Sequence, residues 1–266
     1  SMLPALTMSA CRAIISHGSE TLRDTYLPPI IAGRWTATMC MTEAHCGSDL
    51  GLVRSRAEAD QDAYRIHGSK IFISYGSHNA SENIIHLALA RLPDAPAGVK
   101  GLSLFLVPEK LQDSTGLWQQ ENGVHCIGIE EKMGIHASPT CSLSFENAKG
   151  YLVGEAHGGI KAMFTMMNEM RLGTCLQGVG LSEHSYQKSL AYAKERLQMR
   201  SLSGVKSPDK DADAIIEHPD VRRMLLSQKA FADGGRALAN YCAHLLDQLH
   251  QNPDDKDTRL LLELLT

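Results

Sequence analysis

Two short stretches bring hydroxyls, a tight glycine turn and an aromatic ring together at strand-like spacing. The first is Met39-Cys40-Met41-Thr42-Glu43-Ala44-His45-Cys46-Gly47-Ser48-Asp49, an alternating apolar–polar run that ends in a Gly-Ser-Asp turn. A glycine beside a hydroxyl residue lets backbone N–H groups approach a phosphate or a polar ring closely. The second is Lys70-Ile71-Phe72-Ile73-Ser74-Tyr75-Gly76, in which Ile71 and Ile73 alternate with Phe72 and Ser74. That is the period of a half-buried strand carrying an aromatic plate and a hydroxyl on one face. Such a pair of stretches suits a flat ligand with a polar edge.

The other reactive residue types point away from several chemistries. His45, His67 and His136 show neither triad nor metal-ligand spacing. The seven cysteines are an odd number without metal spacing, which reads as a reduced, cytoplasmic compartment rather than a disulfide scaffold. A net charge of −4 supplies no general attraction for nucleic acid or an anionic membrane. Over 200–266, Lys206, Lys210, Arg222 and Arg223 are interleaved with Asp209, Asp211, Asp213, Glu217 and Asp254, so no basic stripe survives. No apolar run reaches the roughly 18 residues of a membrane span.

The elements that must position these stretches change texture twice. Leu3, Leu6, Ile14, Ile15 and Leu22 recur near helical spacing over 3–24, and Thr21 to Pro29 suits a short helix ended by Pro28-Pro29. From Thr36 to about Val153 the chain carries short alternating runs split by turns, the pattern of an antiparallel sheet domain. Strands are expected at 37–42, 53–60, 63–68, 70–75, 83–91, 101–107, 124–132, 139–146 and 150–153. From Gly159 a helical period runs through Met163, Phe164, Met167, Met170, Leu176, Val179 and Leu190 to about Met199. The polar segment 201–217 is expected to be a mobile loop, followed by a helix from His218-Pro219 to about His250 and another from Thr258. The end at Leu261-Leu262-Glu263-Leu264-Leu265-Thr266 is still apolar, and the chain is read as a fragment. With 266 residues it can bury a sizeable core.

The Met-Thr-Glu-x-x-Cys-Gly-Ser-Asp run and the Lys-Ile-Phe-Ile-Ser strand resemble the acyl-CoA dehydrogenases, flavoenzymes of fatty-acyl-CoA oxidation. The order of helix tail, β domain and long helical hairpin is similar to theirs, and the resemblance covers almost the whole chain. It implies an α+β fold: 1–35 as the end of an N-terminal helical domain, 36–153 as a middle β-barrel or sandwich domain, and 154–266 as the start of a C-terminal four-helix bundle. The 201–217 segment and the His-Pro-Asp-Val-Arg-Arg helix start look more like the larger bacterial branch than the short-chain mitochondrial type. The implied cofactor is FAD and the implied substrate an acyl-CoA, oxidised to a trans-2-enoyl-CoA with electrons passed to an electron-transfer flavoprotein.

On that resemblance, Met39, Met41 and Thr42 meet the flavin pyrimidine edge, and Gly47 and Ser48 the pyrophosphate, with Ser48 near the thioester's nucleotide. Phe72 and Ser74 stand where the family commonly has Trp and Thr, against one flavin face and at N5. Cys46 replaces a small Gly or Ala. Arg171 matches an arginine that contacts coenzyme A, and Asn168 replaces an Asp common beside it. Arg196 and Gln198, placed at the end of the long helix, match residues that reach the flavin of a neighbouring subunit, which implies a homodimer or homotetramer. The α-proton must be taken by a carboxylate. Most of the family supply a Glu farther along the bundle, beyond Thr266, and a minority place it at the position of Met170; Glu169 points about 100° away. No catalytic residue is therefore assigned. An acyl-CoA oxidase and a flavin-bearing, DNA-associated relative are the alternatives.

Overall fold

Gly18 divides the N-terminal helical stretch. Expected as one helix over 3–24, it folds as α1 (Met2–His17) and α2 (Glu20–Ile31) in this computed structural model, which describes residues 2–266. The Gly18 N–H donates to Ile14 O at 2.8 Å, and the Ser19 side chain then caps α2 by accepting from Leu22 N at 3.2 Å. A hydroxyl at that position satisfies one of the orphan N–H groups of the first turn. Pro28-Pro29 does not end α2 as expected, because both lie inside its last turn. Burial of Tyr26, Pro29 and Ile30 offsets the two missing donors, and the Pro28 and Pro29 carbonyls still accept from Ala32 N and Arg34 N.

Nine strands follow: β1 (Trp35–Cys40), β2 (Arg56–Asp60), β3 (Ala63–Ser74), β4 (Asn83–Arg91), β5 (Leu102–Pro108), β6 (Lys110–Gln112), β7 (Trp118–Glu121), β8 (Val124–Ile129) and β9 (Thr140–Val153). Two expected pairs of strands are single long ones. β3 runs through Gly68, whose φ of 139° brings the backbone so close to Ser55 that a Cβ would lie 2.4 Å from Oγ. β9 likewise continues past Asn147. The short hairpin β6–β7 was not foreseen.

The sheet is mixed, not purely antiparallel. β1 pairs parallel with β4 from Trp35↔Asn83 to Cys40↔Ala88, and β2 makes one parallel register contact with β4. The remaining ladders are antiparallel, and the path β4–β2–β3–β9–β5 closes on itself because β5 also pairs with β4. β4 and β5 are buried on both faces, as strands between two cores must be. Ile85, Leu87, Leu89, Leu102, Leu104 and Leu106 face a core shared with α1 and α2, while Ala88, Ala90, Phe105 and Val107 face the core inside the ring.

The helices are α3 (Gly159–Glu195), α4 (Pro219–Gln251) and α5 (Lys256–Leu265). α3 begins flush against β5: a Cβ on Gly159 would lie 2.4 Å from Ser103 C, and Ala162, Met163 and Met166 complete the first core. The chain divides into two compact units, one up to Met170 and one from Arg171 to Thr266. In the second, Leu225, Ala232, Ala239, Cys242 and Leu245 form the buried stripe of α4, and Arg236 pairs with Glu183 at 2.8 Å. Among the described residues no helix is long and apolar enough to cross a membrane.

The segment 201–217 is folded rather than loose. Asp213 is fully buried and accepts from Ser201 N (2.8 Å), Lys206 N (2.9 Å) and Ser207 N (2.7 Å), with the Arg200 guanidinium at 3.4 Å. These bonds, the Ser201 N–H foremost, hold its carboxyl down at about 2. A single carboxylate thus replaces the apolar core that the polar sequence lacks.

Candidate functional site

The first stretch leaves β1 at Cys40 and turns tightly, with Glu43 and Cys46 exchanging backbone hydrogen bonds at 2.9 and 3.0 Å. The Ile71 N–H donates to Thr42 O at 2.9 Å, which joins the turn to β3. Met39, Met41, Thr42, Phe72 and Ser74 are thereby brought to one end of the sheet, and Gly47 lies over Thr42, since a Cβ there would sit 3.3 Å from Thr42 Cγ2. Gly47 and Ser48 are exposed on the turn, while Met39, Met41, Thr42 and Ser74 are half-buried.

Strict alternation fails where β3 meets β9. The register slips between Lys70 and Ile73, so both of these face inward although they are three residues apart. Ile71 is only half-buried, contrary to its expected partnership with Ile73. Phe72 takes φ 60° at the bulge and is 59% exposed. A bulky residue in the left-handed region is strained, and such strain concentrates at functional sites. Among the described residues, the Thr42 N–H, the Thr42 hydroxyl and the Ser74 hydroxyl have no hydrogen-bond partner. An exposed ring and three unpaired donors share this end of the sheet.

Beneath them lies a buried ion pair that the sequence reading missed. Lys70 is 1% exposed and Glu43 4%, and Lys70 Nζ donates to Glu43 Oε1 at 2.8 Å and to Met41 O at 3.1 Å. Glu43 also accepts from Ser55 Oγ (2.6 Å), Ser55 N (3.0 Å) and Arg54 N (2.8 Å). Burial works to raise the Glu43 carboxyl, but the Lys70 charge and these donors outweigh it and hold the group at about 2. Glu43, His45 and Cys46 do place ligand-type atoms within 4.8 Å of one another. The Lys70 ammonium on the same carboxylate opposes a cation there, and His45 Nε2 already bonds with Leu52 O at 2.9 Å.

A second missed feature is the loop 130–139. Lys132 Nζ folds it by donating to Ile135 O (3.0 Å) and Ser138 O (2.5 Å), and Pro139 O accepts from Tyr75 N at 2.7 Å, directly after the second stretch. Exposed Met133 and Ile135, with Ile127 and Ile129 of β8, extend an apolar surface at the end of the sheet where Phe72 projects, since β8 and β3 flank β9 at Cys141.

The family profile for the acyl-CoA dehydrogenase middle domain matches residues 38–148, and that for the C-terminal domain matches 157–259. The 3-methylmercaptopropionyl-CoA dehydrogenase of Ruegeria pomeroyi is 46% identical over 96% of this chain and 43% of its own length. The chain belongs to the acyl-CoA dehydrogenase family. A butyryl-CoA dehydrogenase of Syntrophomonas wolfei is 38% identical over 97% of this chain and 43% of its own length. The butyryl-CoA dehydrogenase structure from Megasphaera elsdenii superposes with a TM-score of 0.72 at 25% identity, covering 90% of this chain and 57% of that one. The chain therefore spans less than half the length of these two curated acyl-CoA dehydrogenases.

The remaining expected acyl-CoA dehydrogenase site residues lie on or after α3. Asn168 is exposed near the end of the first unit, and Glu169 beside it lies 3.9 Å from Arg12. Arg171 is an exposed residue that begins the second unit. Arg196 and Gln198 follow α3 rather than lying within it, because the helix stops at Glu195. The Gln198 backbone is fixed from both sides, its N–H donating to Asp213 O at 3.0 Å and its carbonyl accepting from His218 Nε2 at 2.8 Å.

Proposed function

We propose that this chain carries the flavin-binding face of an FAD-dependent acyl-CoA dehydrogenase, with Met39, Met41, Thr42, Gly47, Ser48, Phe72 and Ser74 as the residues that meet FAD. The observation that carries this reading is the Thr42 O–Ile71 N bond, which sets unpaired donors of Thr42 and Ser74 beside the exposed, strained Phe72 ring. The donor set fits an isoalloxazine: an aromatic face to stack on, and an N–H with hydroxyls for its polar edge. Thr42, Phe72 and Ser74 would hold FAD there, and the chemistry it would supply is acceptance of a hydride from the β-carbon of an acyl thioester. The chain's own residues orient the ring, while the bulge at Phe72 presents its plate and the Gly47-Ser48 turn offers backbone groups to the pyrophosphate.

The whole protein would form a trans-2-enoyl-CoA and hand its electrons to an electron-transfer flavoprotein. Two relatives are named for short acyl thioesters, so a short acyl-CoA is the substrate to test first. Asn168 and Arg171 would meet the coenzyme A portion, and Arg196 and Gln198 the cofactor of a second copy in a homodimer or homotetramer. The α-proton base is assigned to no residue of this chain. The test is the visible absorbance of the purified chain after addition of FAD and desalting. Retained flavin bands, weakened by Phe72→Ala, are expected; flavin retained equally well by Thr42→Val, Phe72→Ala and Ser74→Ala together would overturn the placement.

A further inference from the structure

The buried cation of the first unit is bonded to the peptide that would carry the flavin contact. Lys70 Nζ donates to Met41 O at 3.1 Å, and Met41 O and the unpaired Thr42 N–H belong to the same amide group. A positive charge on an amide oxygen draws electron density from the nitrogen, so the N–H becomes more acidic and a stronger donor. Glu43, at 2.8 Å from the ammonium, cancels its long-range field but leaves the short bond to Met41 O in place. The pair is costly to bury, and an apolar filling of equal volume would hold the two strands together as well. Holding the strands together thus does not by itself call for charges here; polarising the Met41–Thr42 amide does.

We propose that the Lys70–Glu43 pair is a positioning and tuning device, which polarises the Met41–Thr42 amide so that its N–H binds reduced flavin in preference to oxidised flavin. This rests on the placement of FAD at Thr42. Lys70 touches neither cofactor nor substrate in this account and acts through one peptide group. Ser55, with its Oγ 2.6 Å from Glu43, orients the carboxylate and so keeps the ammonium on Met41 O.

The test compares the chain with a Glu43→Gln/Lys70→Met double variant, which removes both charges and leaves none stranded. If that variant fails to fold, Glu43→Gln/Lys70→Gln keeps a neutral donor in the space. Both proteins are loaded with FAD, and the midpoint potential of the bound flavin is measured by dye-equilibration titration. The expected result is a tenfold weaker preference for the reduced form in the variant, about 30 mV for a two-electron couple. A preference unchanged within twofold, about 9 mV, overturns the proposal and leaves the flavin placement standing. If the unaltered chain retains no FAD, the placement itself has failed on this chain. Hydrogen exchange of the Thr42 amide, read by NMR without cofactor, then decides the polarisation. Base-catalysed exchange slowed at least threefold in the variant supports it, and unchanged exchange overturns it.

Discussion

Lys70→Met alone strands a carboxylate that is 4% exposed. Glu43 keeps three donors, Arg54 N, Ser55 N and Ser55 Oγ, with the His45 ring at 3.6 Å, but loses the ammonium that neutralises it at 2.8 Å. Breaking a buried pair from one side costs about 3–5 kcal/mol, whereas removing both partners is close to neutral. The single variant should thus be about 3–5 kcal/mol less stable and Glu43→Gln/Lys70→Met within about 1 kcal/mol of the unaltered chain, so the two variants differ by roughly 2–6 kcal/mol. With a urea slope of about 2 kcal/mol/M the midpoint of the single variant falls by roughly 2 M. The assay is tryptophan fluorescence, because Trp35 and Trp118, the chain's two tryptophans, stack edge-to-face at 4.8 Å inside the first unit and report on it alone. The pH dependence gives an independent check. In the unaltered chain the Glu43 carboxyl sits at about 2 against an ordinary 4.5, so its contribution is full above 4.5 and is lost as the pH falls toward 2. In Lys70→Met, burial acts unopposed by that charge and raises the carboxyl, so the variant gains stability as the pH is lowered from 7 to 5. Single and double variants of equal stability would refute the reasoning.

Three other outcomes follow from the same structure. Asp213→Ala removes the shared acceptor of Ser201, Lys206 and Ser207, and hydrogen exchange over 200–214 should accelerate at least tenfold, about 1.4 kcal/mol, while tryptophan fluorescence stays unchanged. His86 is fully buried, bonds Thr38 Oγ1 through Nδ1 at 2.7 Å and leaves Nε2 without a partner; burial, then the charge of His78, pushes it from 6.5 to about 3. Its neutral form favours folding above 6.5 and loses that advantage as the pH falls toward 3, so Thr38→Val/His86→Leu should flatten the acid limb by up to about 1.4 kcal/mol per pH unit in urea titrations. Phe72→Gly relieves the φ of 60° and should raise the stability of the first unit by about 1 kcal/mol, while weakening FAD retention measured by desalting.

Much of the fold was legible because periodicity survives in the sequence wherever one face is buried. The long helices from Gly159 and Pro219 and the alternating runs after Trp35 all appear near their expected places. The misreadings share a cause, which is that a local signal was overruled by a distant partner. Pro28-Pro29 reads as a helix stop, yet packing of Tyr26 and Ile30 carries the helix through it. Segment 201–217 reads as loose because its organiser is one aspartate bonded to backbone groups, which no hydropathy pattern reveals. The parallel pairing of β1 with β4 is invisible locally, because strand order is set by distant partners rather than by the period of either strand. At the site, the types and spacing of Thr42, Phe72 and Ser74 were readable. Lys70 was passed over because a charged residue in a strand reads as solvent-facing until the bulge is known, and Glu43 because a charged residue in a turn reads the same way.

The position of β9 in the sheet bears on how the chain is born. Its one strand pairs with β3, β8 and β5, and the contacts run from Tyr64↔Gly150 to Leu104↔Val153. During synthesis, β1 to β8 leave the ribosome with those edges unpaired, and no amount of waiting closes the ring before Val153 has emerged. Loop closure on that scale slows folding, and exposed β edges invite pairing between chains. The strands that will form the Thr42–Phe72 site are made before β9, yet they acquire their full set of partners only when that strand arrives. A stalled or truncated nascent chain ending before Thr140 should therefore be a substrate for chaperones that shield extended segments.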